Sequence, residues 1–173
     1  RLVPVKRPVL GLEGVLRART EGHPLTITLL GDGPLRGRLE ALATNAPPGA
    51  VAFAGAVDAA ARDAWLARAE LLVHTAGRVA GWRTEGAPMA VIEAMAAGAA
   101  VVATEGGGVA ELVGDAGVVL PGDADAAAVG AALGALHRDG AHRAELVARA
   151  AQRVAGWRWE AQAARLEAWL REA

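Results

Sequence analysis

Apolar positions along the chain fall into short β-branched runs that alternate with longer stretches of helical character. The runs Leu25 to Leu30, Val51 to Ala54, Leu71 to His74, Ala100 to Ala103 and Val118 to Leu120 have the length and composition of strands. Between them, Pro34 to Ala43, Ala60 to Ala69 and Met89 to Ala97 read as helices. Strand and helix in this rhythm predict crossover connections, hence an α/β fold: a Rossmann-like parallel sheet with helices on both faces. After Leu120 the alternation stops, and Asp125 to Arg138, Ala141 to Val154 and Trp159 to Glu172 form a helical tail. That tail would pack on the sheet or cross to a neighbouring domain. Leu133, Leu136, Leu146 and Val147 recur at helical spacing, so the alanine-rich composition there is not low complexity. No internal repeat or long linker interrupts the pattern.

A length of 173 residues with 53% hydrophobic content suits one domain with a full core, spanning residues 1–173. Lys and Arg number 18 against 19 Asp and Glu, so no net field draws the chain to nucleic acid or an anionic bilayer. A charged ligand must then be held by local groups. With no cysteine, disulfides, thiolate metal sites and cysteine nucleophiles drop out, and a reducing cytoplasm fits. The most apolar segment, Ala87 to Ala103, carries Pro88, Glu93 and Gly98 and falls short of the ~20 apolar residues a spanning helix needs. It reads as buried helix plus strand, with no integral membrane segment. No signal peptide precedes the domain and the chain opens on Arg1, which leads us to expect a fragment of a longer protein.

Ligands of open parallel sheets bind beyond the carboxyl ends of the strands, which directs attention to the loops after Leu30, Ala54, His74 and Ala103. Gly31-Asp32-Gly33-Pro34 is a tight turn with Pro34 suited to the first helical position, and its glycines, Gly31 first, let a ligand approach the backbone. Gly37 comes one residue late for a dinucleotide fingerprint, and a plain turn explains the same residues. The richest stretch runs from Glu85 through Pro88 to Glu93. In one continuous helix those two carboxylates would lie ~12 Å apart along the axis and about 80° out of phase, too far to share a small ligand. Pro88 instead marks the helix start and leaves Glu85 in the preceding loop. Gly86 and Ala87 carry no polar side chain to cap that start, so the N–H groups of Met89 and Ala90 are left for an outside acceptor. Phosphate suits them through hydrogen bonds and helix dipole together. Carboxylates beside a phosphate must address hydroxyls, a sugar for Glu85 and a ribose for Glu93. An ordinary buried helix with Glu93 paired or solvated at its rim accounts for the same residues.

The run Glu85 to Gly98 resembles the paired-glutamate motif of retaining GT-B glycosyltransferases, glycosyltransferase family 4, in their C-terminal donor-binding domain. The likeness continues through Val101-Val102-Ala103-Thr104 and Gly107-Gly108-Val109-Ala110-Glu111-Leu112-Val113. Upstream it takes in Leu29-Leu30-Gly31-Asp32-Gly33-Pro34-Leu35-Arg36 and Val51-Ala52-Phe53-Ala54-Gly55-Ala56-Val57. Arg1-Leu2-Val3-Pro4-Val5-Lys6 is similar to the opening of that domain, where the resemblance implies that Arg1 and Lys6 clamp the donor's diphosphate. It further implies contacts of Glu85 with the donor sugar, of Glu93 with the ribose, of Met89 and Ala90 N–H with phosphate, and of Val57 near the base. Transfer of a hexosyl group from a nucleoside diphosphate sugar with retention follows, without metal or other cofactor, in glycan, exopolysaccharide or glycolipid synthesis. The glycan or lipid-linked acceptor would sit on an N-terminal domain absent from this chain, and the family's first strand would lie just before Arg1. The isolated chain is therefore expected to be marginally stable and inactive. The location implied is cytoplasmic, with any attachment to the inner membrane peripheral and through the absent domain.

Three departures stand out: Arg7 where the family usually has glycine, His74-Thr75 where it has a Pro-Ser pair, and Pro88 where it has an aromatic or small residue. The loop between Thr75 and Glu85 is also long, with Gly77 and Gly81 as candidate hinges and Trp82 as a sugar platform or a loop anchor. His74 could reach a ligand or be structural, whereas His23, His137 and His142 lack metal-ligand spacing. Trp157, Trp159 and Trp169 would fix the last helix to the body, and Arg17, Arg19, Arg36 and Arg38 read as solvated helix faces. Other readings are a non-catalytic nucleotide-binding subunit of a split glycosyltransferase, and a GT-B epimerase or phosphorylase.

Overall fold

The computed structural model describes residues 1–77 and 86–172. Within them lie strands β1 (Ile27–Leu30), β2 (Val51–Gly55), β3 (Leu71–His74), β4 (Ala100–Thr104) and β5 (Val118–Leu120). The helices are α1 (Pro8–Thr20), α2 (Arg36–Ala43), α3 (Ala59–Leu66), α4 (Met89–Ala97), α5 (Val109–Val113), α6 (Ala126–Arg138), α7 (Gly140–Ala155) and α8 (Trp159–Glu172), with a short 3-10 turn at Pro4–Lys6. Every strand pair is parallel, as the alternation of strand and helix predicts. Among the described residues the strands form two sheets, β1-β2 and β3-β4-β5, with no hydrogen-bonded pair joining them.

β4 shows why an α/β sheet needs cover on both faces. All five of its residues are buried, and successive side chains of a strand point to opposite sides. Val101 and Ala103 join a core with Val91 and Met95 of α4 and Val109, Leu112 and Val113 of α5. Ala100 and Val102 join another with Val15 and Ala18 of α1, Val129, Leu133 and Leu136 of α6, and Leu146 of α7. A third cluster, of Leu2, Leu12, Leu29 and Leu39, packs around β1.

Helix α1 is absent from the sequence-based expectation, as is the five-residue α5. Gly11 and Gly14 lower the helical propensity of Pro8–Thr20, yet both are buried. Their small size lets α1 lie close to α6: a Cβ on Gly14 would stand 2.4 Å from Val129 Cγ1, and one on Gly130 would stand 2.9 Å from the Gly14 carbonyl. Packing thus overrides propensity. Pro34 is not the first helical residue; it occupies a turn, and α2 begins at Arg36 with Leu35 as its N-cap.

Two further expectations are corrected. The tryptophans do not fix the tail to the body: Trp157, Trp159 and Trp169 are 40%, 80% and 63% exposed. Nor do the four arginines all lie in solvent. Arg17 and Arg38 are exposed, but Arg19 is half-buried and donates to the Leu25 carbonyl, and Arg36 lies 5.5 Å over the Phe53 ring. No helix of the described residues is long and apolar enough to cross a membrane.

Candidate functional site

Within each sheet the strands run parallel, so the loops that follow them share one edge of that sheet, and hydrogen bonds through the first residues of the chain tie the loops of the two sheets together. The segment Arg1 to Lys6 runs between the loop after β1 and the loop after β3. At one end the Leu2 N–H donates to the Asp32 carbonyl at 2.9 Å, and the Leu35 N–H donates to the Leu2 carbonyl at 3.1 Å. Gly33 is required for this approach, since a Cβ there would lie 2.5 Å from the Leu2 carbonyl oxygen. Gly31, at φ 108, places its backbone beside Arg1, 3.3 Å from the Arg1 nitrogen for an added Cβ. At the other end the Gly77 N–H donates to the Val5 carbonyl at 3.1 Å. The buried Thr75 hydroxyl donates to the Arg7 and Lys6 carbonyls, at 2.8 and 3.3 Å. Arg1 and Lys6 are therefore carried by hydrogen bonds to the loops that follow β1 and β3.

The loop after β4 is fastened in the same way. The buried Thr104 hydroxyl donates to the Ala76 carbonyl at 2.9 Å, and the Gly108 N–H donates to the Gly86 carbonyl at 3.0 Å. An added Cβ on Gly108 would stand 2.9 Å from that carbonyl, so only glycine allows the contact. Gly86 is thereby held where the chain enters α4.

Helix α4 starts at Met89 with Pro88 as its N-cap, and no side chain caps it. Pro88 is buried while Met89 and Ala90 are exposed, which leaves the first turn open to solvent. The Val91 N–H is already used by the Pro88 carbonyl at 2.9 Å; those of Met89 and Ala90 precede the point where intrahelical bonding begins. Glu93 follows one turn inside, its side chain 26% exposed, with Oε1 3.2 Å from Nη1 of Arg62 on α3. Glu85, Trp82 and Gly81 lie outside the described residues.

Helix α3 begins just past Val57, which is half-buried at the end of β2. Asp58 fixes that start by accepting the Ala61 N–H at 2.8 Å. Leu66 packs with Ala94 and Ala99, and this contact sets α3 against α4. Arg62, one turn before Leu66 on the same face, is thereby brought to Glu93. Its guanidinium also donates from Nε and Nη2 to Asp63 Oδ1, at 3.1 and 2.9 Å. The Asp63 bond first, and the Glu93 charge after it, hold Arg62 more firmly protonated than a free arginine, against the opposing effect of burial. The sequence carries a mark of Asp58, an Asp ahead of a helical run, but none of Arg62, whose partner depends on how two helices cross.

An uncapped helix start, a carboxylate one turn within and a cationic segment strung along the neighbouring strand ends describe a place where an anionic ligand with hydroxyl groups can rest. The chain belongs to the group 1 glycosyl transferases, whose family model matches residues 1–139. No curated protein matches the sequence. A Staphylococcus aureus TarM mutant in complex with fondaparinux, α-GlcNAc-glycerol and UDP superposes with a TM-score of 0.80 at 19% identity, over 99% of this chain and 33% of that one. Anabaena HepE in complex with UDP and glucose gives 0.75 at 21% identity, over 100% of this chain and 47% of that one. The C-terminal domain of LpcC, a group 1 family protein of Francisella tularensis, gives 0.74 at 18% identity, over 88% of this chain and 80% of that one. The fold is that of the C-terminal Rossmann-like domain of GT-B glycosyltransferases. This chain spans a third to about half the length of TarM and HepE.

Proposed function

We propose that this chain is the donor-binding half of a retaining family 4 glycosyltransferase, which moves a hexosyl group from a nucleoside diphosphate sugar to a glycan or lipid-linked acceptor. The observation that carries this reading is α4, whose uncapped first turn is tied through Gly86, Gly108 and the loop after β4 to the same loop after β3 that holds the Arg1 to Lys6 segment, with Glu93 one turn inside. In this arrangement the Met89 and Ala90 N–H groups receive the diphosphate, with the helix dipole favouring its charge. Arg1 and Lys6 neutralise the charge that develops on the diphosphate as the glycosidic bond breaks. Glu93 receives the ribose hydroxyls, Glu85 the donor sugar, and Val57 lies by the base. That TarM and HepE were each crystallised with UDP supports a nucleotide as the ligand class.

The division of the sheet supports a domain completed by further sequence. Among the described residues, β1 and β3 each lack a strand on the side away from β2 and β4, and Ile27, Leu71 and Val73 line one shared core. A parallel strand from sequence ahead of Arg1 would fit between them, with the acceptor domain before it. Titration of the full-length protein with UDP, GDP and ADP, then with their sugars, tests the reading. At least one should bind more tightly than inorganic pyrophosphate; if none does, the donor site is wrongly placed.

A further inference from the structure

We infer that Arg62 is a positioning residue that sets the Glu93 carboxylate for the ribose, an inference that rests on the donor-site reading above. The pair joins two helices at the edge where β2 ends, with Nη1 to Oε1 at 3.2 Å and side chains 39% and 26% exposed. Ion pairs this open to water contribute little to folding, because solvent screens them and the side chains lose freedom. Yet the pair is not left to chance. Asp63 takes the Nε and Nη2 donors of Arg62 and holds the guanidinium plane, so that Nη1 is the nitrogen presented to α4. The Leu66 contact with Ala94 and Ala99 fixes the helix carrying it.

A carboxylate has two oxygens and about four acceptor positions. With Oε1 engaged by Arg62, rotation about the last side-chain bond is restrained and Oε2 is directed away from the guanidinium. That leaves Oε2 to accept from vicinal hydroxyls. The arrangement selects a ligand with hydroxyl donors, a ribose rather than a deoxyribose. Glu93 is the group that touches the sugar, and Arg62 acts through it.

The test is calorimetric binding of UDP, GDP and ADP, each beside its 2′-deoxy and 3′-deoxy counterparts, to full-length protein with Arg62 native, Arg62→Met or Arg62→Lys. Wild-type protein should favour at least one ribose form over its deoxy counterpart by about tenfold, the effect of one hydrogen bond to a charged acceptor. Arg62→Met should reduce that preference to near unity without moving the thermal midpoint, and Arg62→Lys should retain part of it. In a Glu93→Gln background, Arg62→Met should cause no additional change in the ratio. An unchanged preference in Arg62→Met overturns the inference, as does tighter binding, which would make Arg62 an obstruction. Failure of every nucleotide to exceed pyrophosphate would instead remove the donor site itself.

Discussion

Arg7 holds φ 45 and ψ 44, a left-handed conformation in which a side chain crowds its own backbone at a cost of about 1–2 kcal/mol. Glycine would take it without strain. The arginine offsets part of that cost, since its guanidinium donates to the carbonyls of Gly122 at 2.6 Å and Ala124 at 3.3 Å. Arg7→Ala keeps the strain and loses both bonds, so urea unfolding should show a loss of about 1–3 kcal/mol. Arg7→Gly should be the milder change by roughly 1 kcal/mol, and equal losses would mean that the backbone is not strained there. Glu93→Gln should weaken nucleoside diphosphate binding by about tenfold while leaving the fold intact, as circular dichroism would report. The position of Glu93, one turn inside α4, was legible in the sequence because Pro88 fixes where the helix begins. Arg62 was not, because its contact exists only once Leu66 has met Ala94 and Ala99.

Among the elements, α4 was legible end to end. Pro88 precedes it, and Gly98 follows it as a C-cap at φ 88, a conformation that favours glycine. Strands β3 and β5 were also read in full, because their apolar runs stop at polar or turn-forming residues. Helix α1 was hidden by the glycines that allow it to pack. Gly14→Ala should therefore destabilise the protein by about 1–3 kcal/mol, although alanine is the better helix former. A midpoint that rises instead would show that α1 and α6 can separate to admit a methyl group. Gly33→Ala forces the Leu2 carbonyl aside and with it the Arg1 segment, so pyrophosphate affinity should fall along with stability. Retained affinity would detach Arg1 from the anion site.

At the scale of the whole molecule, the described part of α8 has no buried residue, and Trp159, Leu166, Trp169 and Leu170 are each more than half exposed. Ending the chain after Gly156 should shift its thermal midpoint by no more than a few degrees; a larger fall would reveal packing of α8 on the body. Purified alone, the chain should transfer no sugar from any donor, and measurable turnover would contradict the proposed division of labour between two domains. The separation of the two sheets bears on handling as well as on activity. Unpaired strand edges offer rows of N–H and C=O groups that pair readily with another chain. β1 and β3 are such edges among the described residues, so the isolated chain should self-associate through them as its concentration rises, and light scattering across a dilution series would register the change. The proposed strand between β1 and β3 would give both edges a partner within one molecule, so a protein carrying it should stay disperse over the same dilution series.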